Sequence, residues 1–428
     1  MKNLKRKYWI ELCICFLLLL LGCRQGKQQS DSVMMDSSES LPVNTVQSEQ
    51  GVENEQQRIV DLSEPLSVDT DPSAQVEQHN EPIVIDLSMT IPMNTVQAST
   101  MIEDIRYIPL ETTDESVIGP SLSLIPVQDG FFIWERISRK ICYFGADGKF
   151  IRHIASRGQG PGEYSSLYGF DVSEKDELIY LYSSNRQILV YTFDNKFVRS
   201  IRLDENTWFP SIKKTSWGFL IDKNHIWQTQ NYGKETPALI ALDEDGNELN
   251  VLQYRIVEVQ QSPLNLHSAI FKEYDGKYYY YPPFQDTIYS VQVDKIVPEF
   301  ILPKGRYNIA MKDIETIDKY REATARGLML DDFIINNRWL MLYCRRQYKQ
   351  EMYLFDFASN KLVGVTEIVN DVDNSFNITW VPWVIYQNQW VMLNQAFNIL
   401  KEEKELPAAL KNLDQEDNPV VRISKLKP

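Results

Sequence analysis

The sequence predicts an all-β domain, a six-bladed β-propeller, behind an N-terminal leader and a polar linker. Three observations support this prediction. From residue 102 onward, short apolar runs alternate with turn signals at the spacing of an all-β fold. The runs group into units of about 40 residues. Most units carry an Asp-Gly or Asn-Lys hairpin tip before their last strand, and four-stranded units with this period are typical of propeller blades.

The leader comprises residues 1–22 and ends just before Cys23. A basic start precedes an apolar run, residues 9–21, that is too short to span a bilayer comfortably. Leu20-Leu21-Gly22-Cys23 has the pattern of a bacterial lipobox, in which the cysteine is acylated, as with palmitate, and becomes the mature N-terminus. We therefore expect export and a lipid anchor on Cys23. An ordinary signal peptide with an incidental cysteine is the alternative.

The linker, residues 23–81, is predicted to be disordered. It is rich in Ser, Gln, Asn and acids and has no aromatic residue, so it cannot bury enough apolar surface to offset chain entropy. A degenerate repeat of 25 residues begins here, with copies at 36–45, 61–70 and 86–95. The earlier copies either pair with the same sheet edge as the third, recruit a partner by strand addition, or merely lengthen the tether.

The folded domain, residues 82–428, is predicted to hold six blades. Five are expected at 118–156, 165–204, 207–255, 264–303 and 328–368. The sixth combines 375–395 and 418–427 with a strand from the N-terminal side of the domain, which closes the ring and removes exposed edges. Either Ile83–Leu87 or Ile105–Leu110 can supply that strand. The one predicted helix spans 309–327 and stops at Gly327.

Charge and cysteine content restrict the function further. The formal net charge of −15 argues against nucleic acid or anionic membrane surfaces as partners, since phosphate binding needs a basic stripe. It is compatible with neutral glycans, peptides, cations or another protein. Within the domain only Cys142 and Cys344 remain. They form either one disulfide or two buried free thiols, and the sequence does not decide between these.

Several motifs resemble those of the six-bladed propeller lipoproteins of Bacteroidetes, relatives of the NHL-repeat propellers. The matching runs are Ile105-Arg-Tyr-Ile-Pro-Leu-Glu-Thr-Thr113, Gly148-Lys-Phe-Ile-Arg152, Arg157-Gly-Gln-Gly-Pro-Gly-Glu-Tyr164 and Phe284-Gln-Asp-Thr-Ile-Tyr289. The resemblance implies a propeller on the outer membrane, in the setting of nutrient uptake systems. Arg24-Gln25-Gly26-Lys27 lacks the acidic cluster that resembles a surface-export signal in such lipoproteins, which favours the periplasmic face.

The most specific candidate site is the run from Arg157 to Tyr164. Its glycines and proline fix a tight backbone path, so that Arg157, Gln159, Glu163 and Tyr164 can present polar groups to a ligand. A rigid corner between two blades is the alternative. Trp227 and Tyr232 lie in a loop longer than usual for a hairpin and beside several amides, a composition that suits glycan or peptide contact.

Signals for catalysis are weak. The domain has three histidines, His153, His225 and His267, scattered over different blades, and no nucleophile motif. We predict no metal site from the histidines and no cofactor, with a structural or site calcium at the channel mouth as a candidate. We therefore expect a lipid-anchored binding or interaction module. A lyase or lactonase that uses a metal or carboxylates in the central channel is the alternative.

Overall fold

A computed structural model describes residues 59–60, 81–203, 211–223, 229–258, 269–377, 384–402 and 404–427. Six small sheets form a ring, which confirms the predicted six-bladed β-propeller. Cys23, the first two repeat copies, Trp227, His225 and His267 lie outside the described residues.

Among the described residues, four strands on the N-terminal side attach to the outer edges of later blades. They are β1 (Ile59–Val60), β2 (Ile83–Val84), β3 (Met93–Gln97) and β4 (Ile102–Pro109).

Blades 1 to 3 follow in chain order, with four antiparallel strands each. Blade 1 contains β5 (Leu122–Val127), β6 (Gly130–Glu135), β7 (Lys140–Gly145) and β8 (Phe150–Ile154). Blade 2 contains β9 (Leu167–Ser173), β10 (Leu178–Ser183), β11 (Gln187–Thr192) and β12 (Phe197–Arg202). Blade 3 contains β13 (Ser211–Thr215), β14 (Gly218–Asp222), β15 (Glu235–Leu242) and β16 (Glu248–Ile256).

Blades 4 to 6 incorporate the N-terminal strands. Blade 4 contains β17 (Ile270–Tyr274), β18 (Lys277–Tyr281), β19 (Thr287–Val291) and β20 (Ile296–Ile301). Blade 5 contains β21 (Leu328–Ile335), β22 (Trp339–Arg346), β23 (Lys349–Asp356) and β24 (Lys361–Val369). Blade 6 contains β25 (Val384–Tyr386), β26 (Gln389–Asn394) and β27 (Val420–Leu426), with β4 as its fourth strand.

The ring closes through β4. Its register on β27 runs from Val420 opposite Pro109 to Leu426 opposite Ile102. Of the two candidate donors, the segment containing Ile105 therefore closes the propeller. The other candidate, around Ile83, forms β2 and adds in parallel to β20 of blade 4.

Blade 5 receives two further parallel strands. β3 pairs with β24, and β1 pairs in turn with β3, with Ile59 opposite Thr95. The N-terminal side of the domain thus runs along the outer edges of blades 4, 5 and 6. Its buried side chains include Ile85, Leu87 and Val96.

Burial follows the position of each strand in its blade. The second strands β6 and β14 are buried along their whole length because neighbouring blades cover both of their faces. The outermost strand of blade 2, β12, is exposed at five of its six residues. The first strands of successive blades contact each other and form the innermost layer of the ring.

Within the described ranges, the α-helices lie in connections between strands. α1 (Ile317–Arg326) lies between blades 4 and 5, and α2 (Ala396–Lys401) lies between β26 and β27. The predicted helix at 309–327 begins later than expected, because Thr316 caps it by accepting a hydrogen bond from the Lys319 N–H at 3.2 Å. Residues Met311–Ile314 form a separate 3₁₀ turn instead. Gly327 ends the helix, as predicted.

Short 3₁₀ turns are the remaining secondary-structure elements in the part of the chain that the structure describes. Besides Met311–Ile314, they are Ala98–Thr100, Thr229–Asn231, Gly305–Tyr307 and Ala408–Leu410.

The two domain cysteines are free and buried, Cys142 on β7 and Cys344 on β22. They lie in different blades, so of the two alternatives the structure shows free thiols. Burial raises the pKa of each thiol to about 12.

Candidate functional site

The run from Arg157 to Tyr164 forms a closed corner between β8 and β9. The Gly158 N–H donates to the Tyr164 carbonyl at 3.0 Å, and the Tyr164 N–H donates to the Ser156 carbonyl at 3.1 Å. The Glu163 carboxylate accepts a hydrogen bond from the Gly160 N–H at 2.7 Å. The corner is therefore held together largely by its own backbone and by one carboxylate.

The four predicted site residues of this corner divide into two pairs. Tyr164 is buried, and its hydroxyl donates to the Arg139 carbonyl at 2.5 Å. Burial raises the pKa of Tyr164 to about 12. Glu163 turns its carboxylate into the corner, whereas Arg157 and Gln159 are exposed to solvent. Arg157 and Gln159 are therefore accessible from solvent, whereas Glu163 and Tyr164 stabilise the loop.

Tyr232, the other described candidate, lies on blade 3. It is exposed and directly precedes Gly233, whose N–H donates to the Val257 carbonyl at 2.9 Å. Two further exposed apolar side chains, Tyr254 and Ile256, lie at the same end of β16. This end of blade 3 therefore presents an apolar patch of three side chains, and an exposed patch of this kind is a candidate contact surface.

Both candidate regions lie on one face of the ring. The corner links the last strand of blade 1 to the first strand of blade 2, and the Tyr232 loop links β14 to β15. In a four-stranded antiparallel blade, these two kinds of connection leave the same end of the strands. Among the described residues, no hydrogen bond or ring contact joins the two regions directly.

The innermost strands carry a set of ion pairs between blades that the sequence analysis did not single out. The first set centres on Asp171 of β9. Its carboxylate accepts from the Lys213 ammonium at 2.8 Å, the Tyr182 hydroxyl at 2.6 Å and the Lys214 N–H at 2.8 Å. Blades 2 and 3 are therefore joined by a carboxylate with three donors.

The ion pairs continue around the ring. The Lys213 ammonium also lies 3.4 Å from a Glu273 carboxylate oxygen on β17. The ammonium of the preceding residue, Lys272, lies 2.7 Å from a carboxylate oxygen of Asp332 on β21. Because successive side chains of a strand point to opposite sides, Glu273 faces blade 3 while Lys272 faces blade 5. Four consecutive blades are thus linked through charged side chains.

The protonation states follow from these contacts. Burial by itself lowers the pKa of Lys213, but the Asp171 and Glu273 carboxylates outweigh it and raise that pKa above its ordinary value. Burial, reinforced by Asp171, raises the pKa of Tyr182 well above its ordinary value. The lysine therefore stays charged and the tyrosine neutral at physiological pH, which keeps both hydrogen bonds to Asp171 in place.

A signal for this network was present in the sequence. Strands of propellers are mostly apolar, yet the first strand of several predicted units contains charged residues in its middle, as in Phe170-Asp171, Ile212-Lys213 and Phe271-Lys272-Glu273. The sequence does not show which strands are innermost, so it could not predict which of these charged residues form ion pairs. Across the described residues, no cluster of three or more His, Cys, Asp or Glu side chains is placed to hold a metal ion.

Comparison with known proteins identifies the family. The profile of the domain of unknown function DUF4934 matches residues 82–425, and the chain belongs to this family. A search of curated proteins found no match. The family carries no described activity, so membership alone does not assign a function.

A solved structure shares the fold. An exported protein from Bacteroides fragilis superposes with a TM-score of 0.65 at 15% identity, over 81% of this chain and 100% of that one. A member of the DUF4221 family from Bacteroides vulgatus gives a TM-score of 0.47 at 8% identity, over 76% of this chain and 97% of that one. At these identities the first likeness shows the propeller architecture. No helix in the described part of the chain is long and apolar enough to cross a membrane.

Proposed function

We propose that the protein is a lipoprotein, anchored through Cys23 in the outer membrane, whose propeller acts as a non-catalytic binding module. Its partner is a glycan, a peptide or an outer-membrane protein, and its setting is accessory to nutrient uptake. The lipobox, the motifs shared with Bacteroidetes propeller lipoproteins and the fold support this proposal.

One observation carries the non-catalytic part of the proposal. Asp171 and Asp332 lie on the innermost strands, where a catalytic carboxylate of the central channel would be expected. Each is paired with a lysine of a neighbouring blade. A carboxylate held in this way is a poor general base, because its oxygens already accept hydrogen bonds from protein groups. The same interblade pairs hold the first strands in a fixed arrangement. A rigid scaffold that presents exposed loop residues suits binding.

The anchor is tested by fractionating cells that express the full chain or its Cys23→Ser variant. We expect the parent protein in the outer-membrane fraction and the variant released from it. An unchanged membrane fraction for the variant would contradict the lipid anchor. Protease treatment of intact cells distinguishes the two membrane faces, and protection is expected for the periplasmic face.

The binding role is tested by purifying the lipid-anchored protein from its native membrane in mild detergent and identifying what stays bound by mass spectrometry. We expect a stoichiometric partner that is lost in an Arg157→Ala, Tyr232→Ala double variant. The matched control is Phe397→Ala, which removes an exposed aromatic ring from blade 6. A stoichiometric cation that depends on Asp171 or Asp332 would instead favour the metal-dependent lyase or lactonase alternative.

A further inference from the structure

A second feature of the same face is a cleft between blades 4 and 5, distinct from the corner and from the Tyr232 patch. It is shallow and open to solvent, with a cavity volume of about 40 Å³. Its walls come from the adjoining ends of strands in both blades and from the connection that leads to α1. The residues that define it are Ile270, Tyr281, Phe284, Lys304, Leu328 and Asp331.

Lys304 is the unusual residue of this cleft. It is only 4% exposed. Its ammonium donates to the Gln285 carbonyl at 2.6 Å and to the Tyr281 hydroxyl at 3.0 Å. The same Gln285 carbonyl accepts from the Tyr281 hydroxyl at 2.7 Å. An ammonium has three N–H donors, and these two neutral acceptors use two of them. One N–H of Lys304 therefore remains for a further acceptor.

The charge of Lys304 has no carboxylate partner. Among the described residues, no Asp or Glu oxygen lies within 4.0 Å of its Nζ, in contrast to Lys213 and Lys272. Asp331, the one acid on the cleft wall, pairs instead with Arg345 at 2.7 Å. The cleft therefore has an uncompensated positive charge at one end. A buried charge of this kind is costly unless a counter-charge joins it.

The remaining wall is apolar. Ile270, Ile309, Leu328 and Leu330 line it together with Phe284, whose φ of 59° lies in the left-handed region that a bulky residue rarely adopts. An anion without an apolar part would leave these side chains facing water. An apolar molecule without a charge would leave Lys304 uncompensated. The lining therefore favours a ligand with one negative group and a short hydrocarbon chain.

We propose that this cleft binds a small aliphatic carboxylate, with its carboxylate on Lys304 and its chain against Ile270 and Leu328. The site is separate from the exposed residues of the proposed partner surface. It stands whether or not the propeller binds a glycan, a peptide or a membrane protein.

The test is thermal unfolding of the full chain with hexanoate, 1-hexanol or hexylammonium as probes. We expect hexanoate to raise Tm in a concentration-dependent way, and the other two to have no effect at equal concentration. In Lys304→Met the hexanoate shift is lost. In Lys361→Met, which removes an exposed lysine at the start of β24, the shift is retained. Equal shifts with hexanoate and hexanol, or a shift that survives Lys304→Met, would overturn the proposal.

A second measurement covers the case in which Lys304→Met does not fold. Crystals of the unmodified protein are soaked in 6-bromohexanoate, and the bromine is located by anomalous scattering. A peak between Ile270 and Leu328 supports the site. A peak elsewhere, or none at a concentration that saturates any thermal shift, refutes it.

Discussion

The Lys213 ammonium lies 2.8 Å from the Asp171 carboxylate and joins the innermost strands of blades 2 and 3. Replacement of this lysine by methionine leaves Asp171 largely buried without its counter-charge. We expect Lys213→Met to lower the free energy of unfolding by about 3 kcal/mol, as for a buried pair that loses one partner. Urea unfolding of both proteins measures the difference. A matched control is Asp194→Asn, which breaks the exposed pair with Arg152 and is expected to cost less than about 1 kcal/mol.

The same pair predicts a pH dependence. Because folding raises the pKa of Lys213 above its ordinary value of 10.5, its contribution to stability is complete below that pH and is lost as pH rises through the folded pKa. The difference in unfolding free energy between the parent protein and Lys213→Met should be constant from pH 7 to about 10 and shrink at higher pH. A difference that grows in the alkaline range would show that the lysine is not stabilised by the carboxylates.

Ring closure predicts a strong dependence on the C-terminal strand. Removal of residues 418–428 deletes β27, which pairs with both β26 and β4. We expect this truncation to abolish cooperative unfolding, because blade 6 loses its middle strand and the ring opens. Removal of residues 427–428 leaves β27 intact and should leave the unfolding midpoint within a few degrees of the parent. Near-ultraviolet circular dichroism and limited proteolysis report both outcomes.

Substitutions at the neighbouring residues Arg157 and Gly158 are expected to have different effects on stability. A Cβ on Gly158 would lie 1.9 Å from the Glu163 carboxylate, so Gly158→Ala forces that side chain away from the Gly160 N–H. We expect a loss of about 1–2 kcal/mol. Arg157→Ala changes only an exposed side chain and should remain within about 0.5 kcal/mol. Equal losses in the two variants would mean that Arg157 is also structural.

The buried thiols predict slow chemical modification. With pKa values of about 12, Cys142 and Cys344 are almost entirely protonated at pH 8, and neither is accessible. Iodoacetamide should therefore label neither cysteine in the folded protein within an hour, and both in urea. Peptide mass spectrometry assigns each site. Rapid labelling of Cys344 alone would show local opening of blade 5.

The valine that follows the third repeat copy lies on the outer edge of blade 5. The first and third copies both continue with Val-Gln, whereas Asp71 follows the second. In the structure the third-copy valine, Val96, is fully buried on β3, so an aspartate at this position would place an unpaired carboxylate in the core. We expect Val96→Asp to cost about 3–5 kcal/mol. Val84→Asp, at a position 59% exposed, should be close to neutral.

The architecture could be predicted from the sequence because it depends on local signals. Hairpin tips such as Asp147-Gly148 and the strand period are visible in the chain itself. The closing strand could not be chosen, because Ile83–Leu87 and Ile105–Leu110 are both short runs rich in apolar residues. The structure shows that both are edge strands, on different blades. The apolar pattern of an edge strand does not indicate which blade that strand joins.

The sites were harder to predict than the fold. Arg157 and Glu163 stand out in the sequence because glycines surround them, but only the hydrogen bond to Gly160 shows that Glu163 faces inward. Lys304 stands in an unremarkable connection, and nothing local indicates that it is buried without a carboxylate. Such properties arise from contacts between blades that are distant in sequence.

The N-terminal side of the domain has a mechanical consequence. Force that enters the propeller from this side first meets β1, paired with β3 at two positions, and β2, paired with blade 4 at two. It next meets β3, paired with blade 5 at five positions, and only then the seven-position pairing of β4 with β27. The strands would detach in that order, weakest first. The pulling force would therefore first detach three short strands from the outer edges of blades 4 and 5, and the ring would stay closed until β4, the last of the four, was loaded.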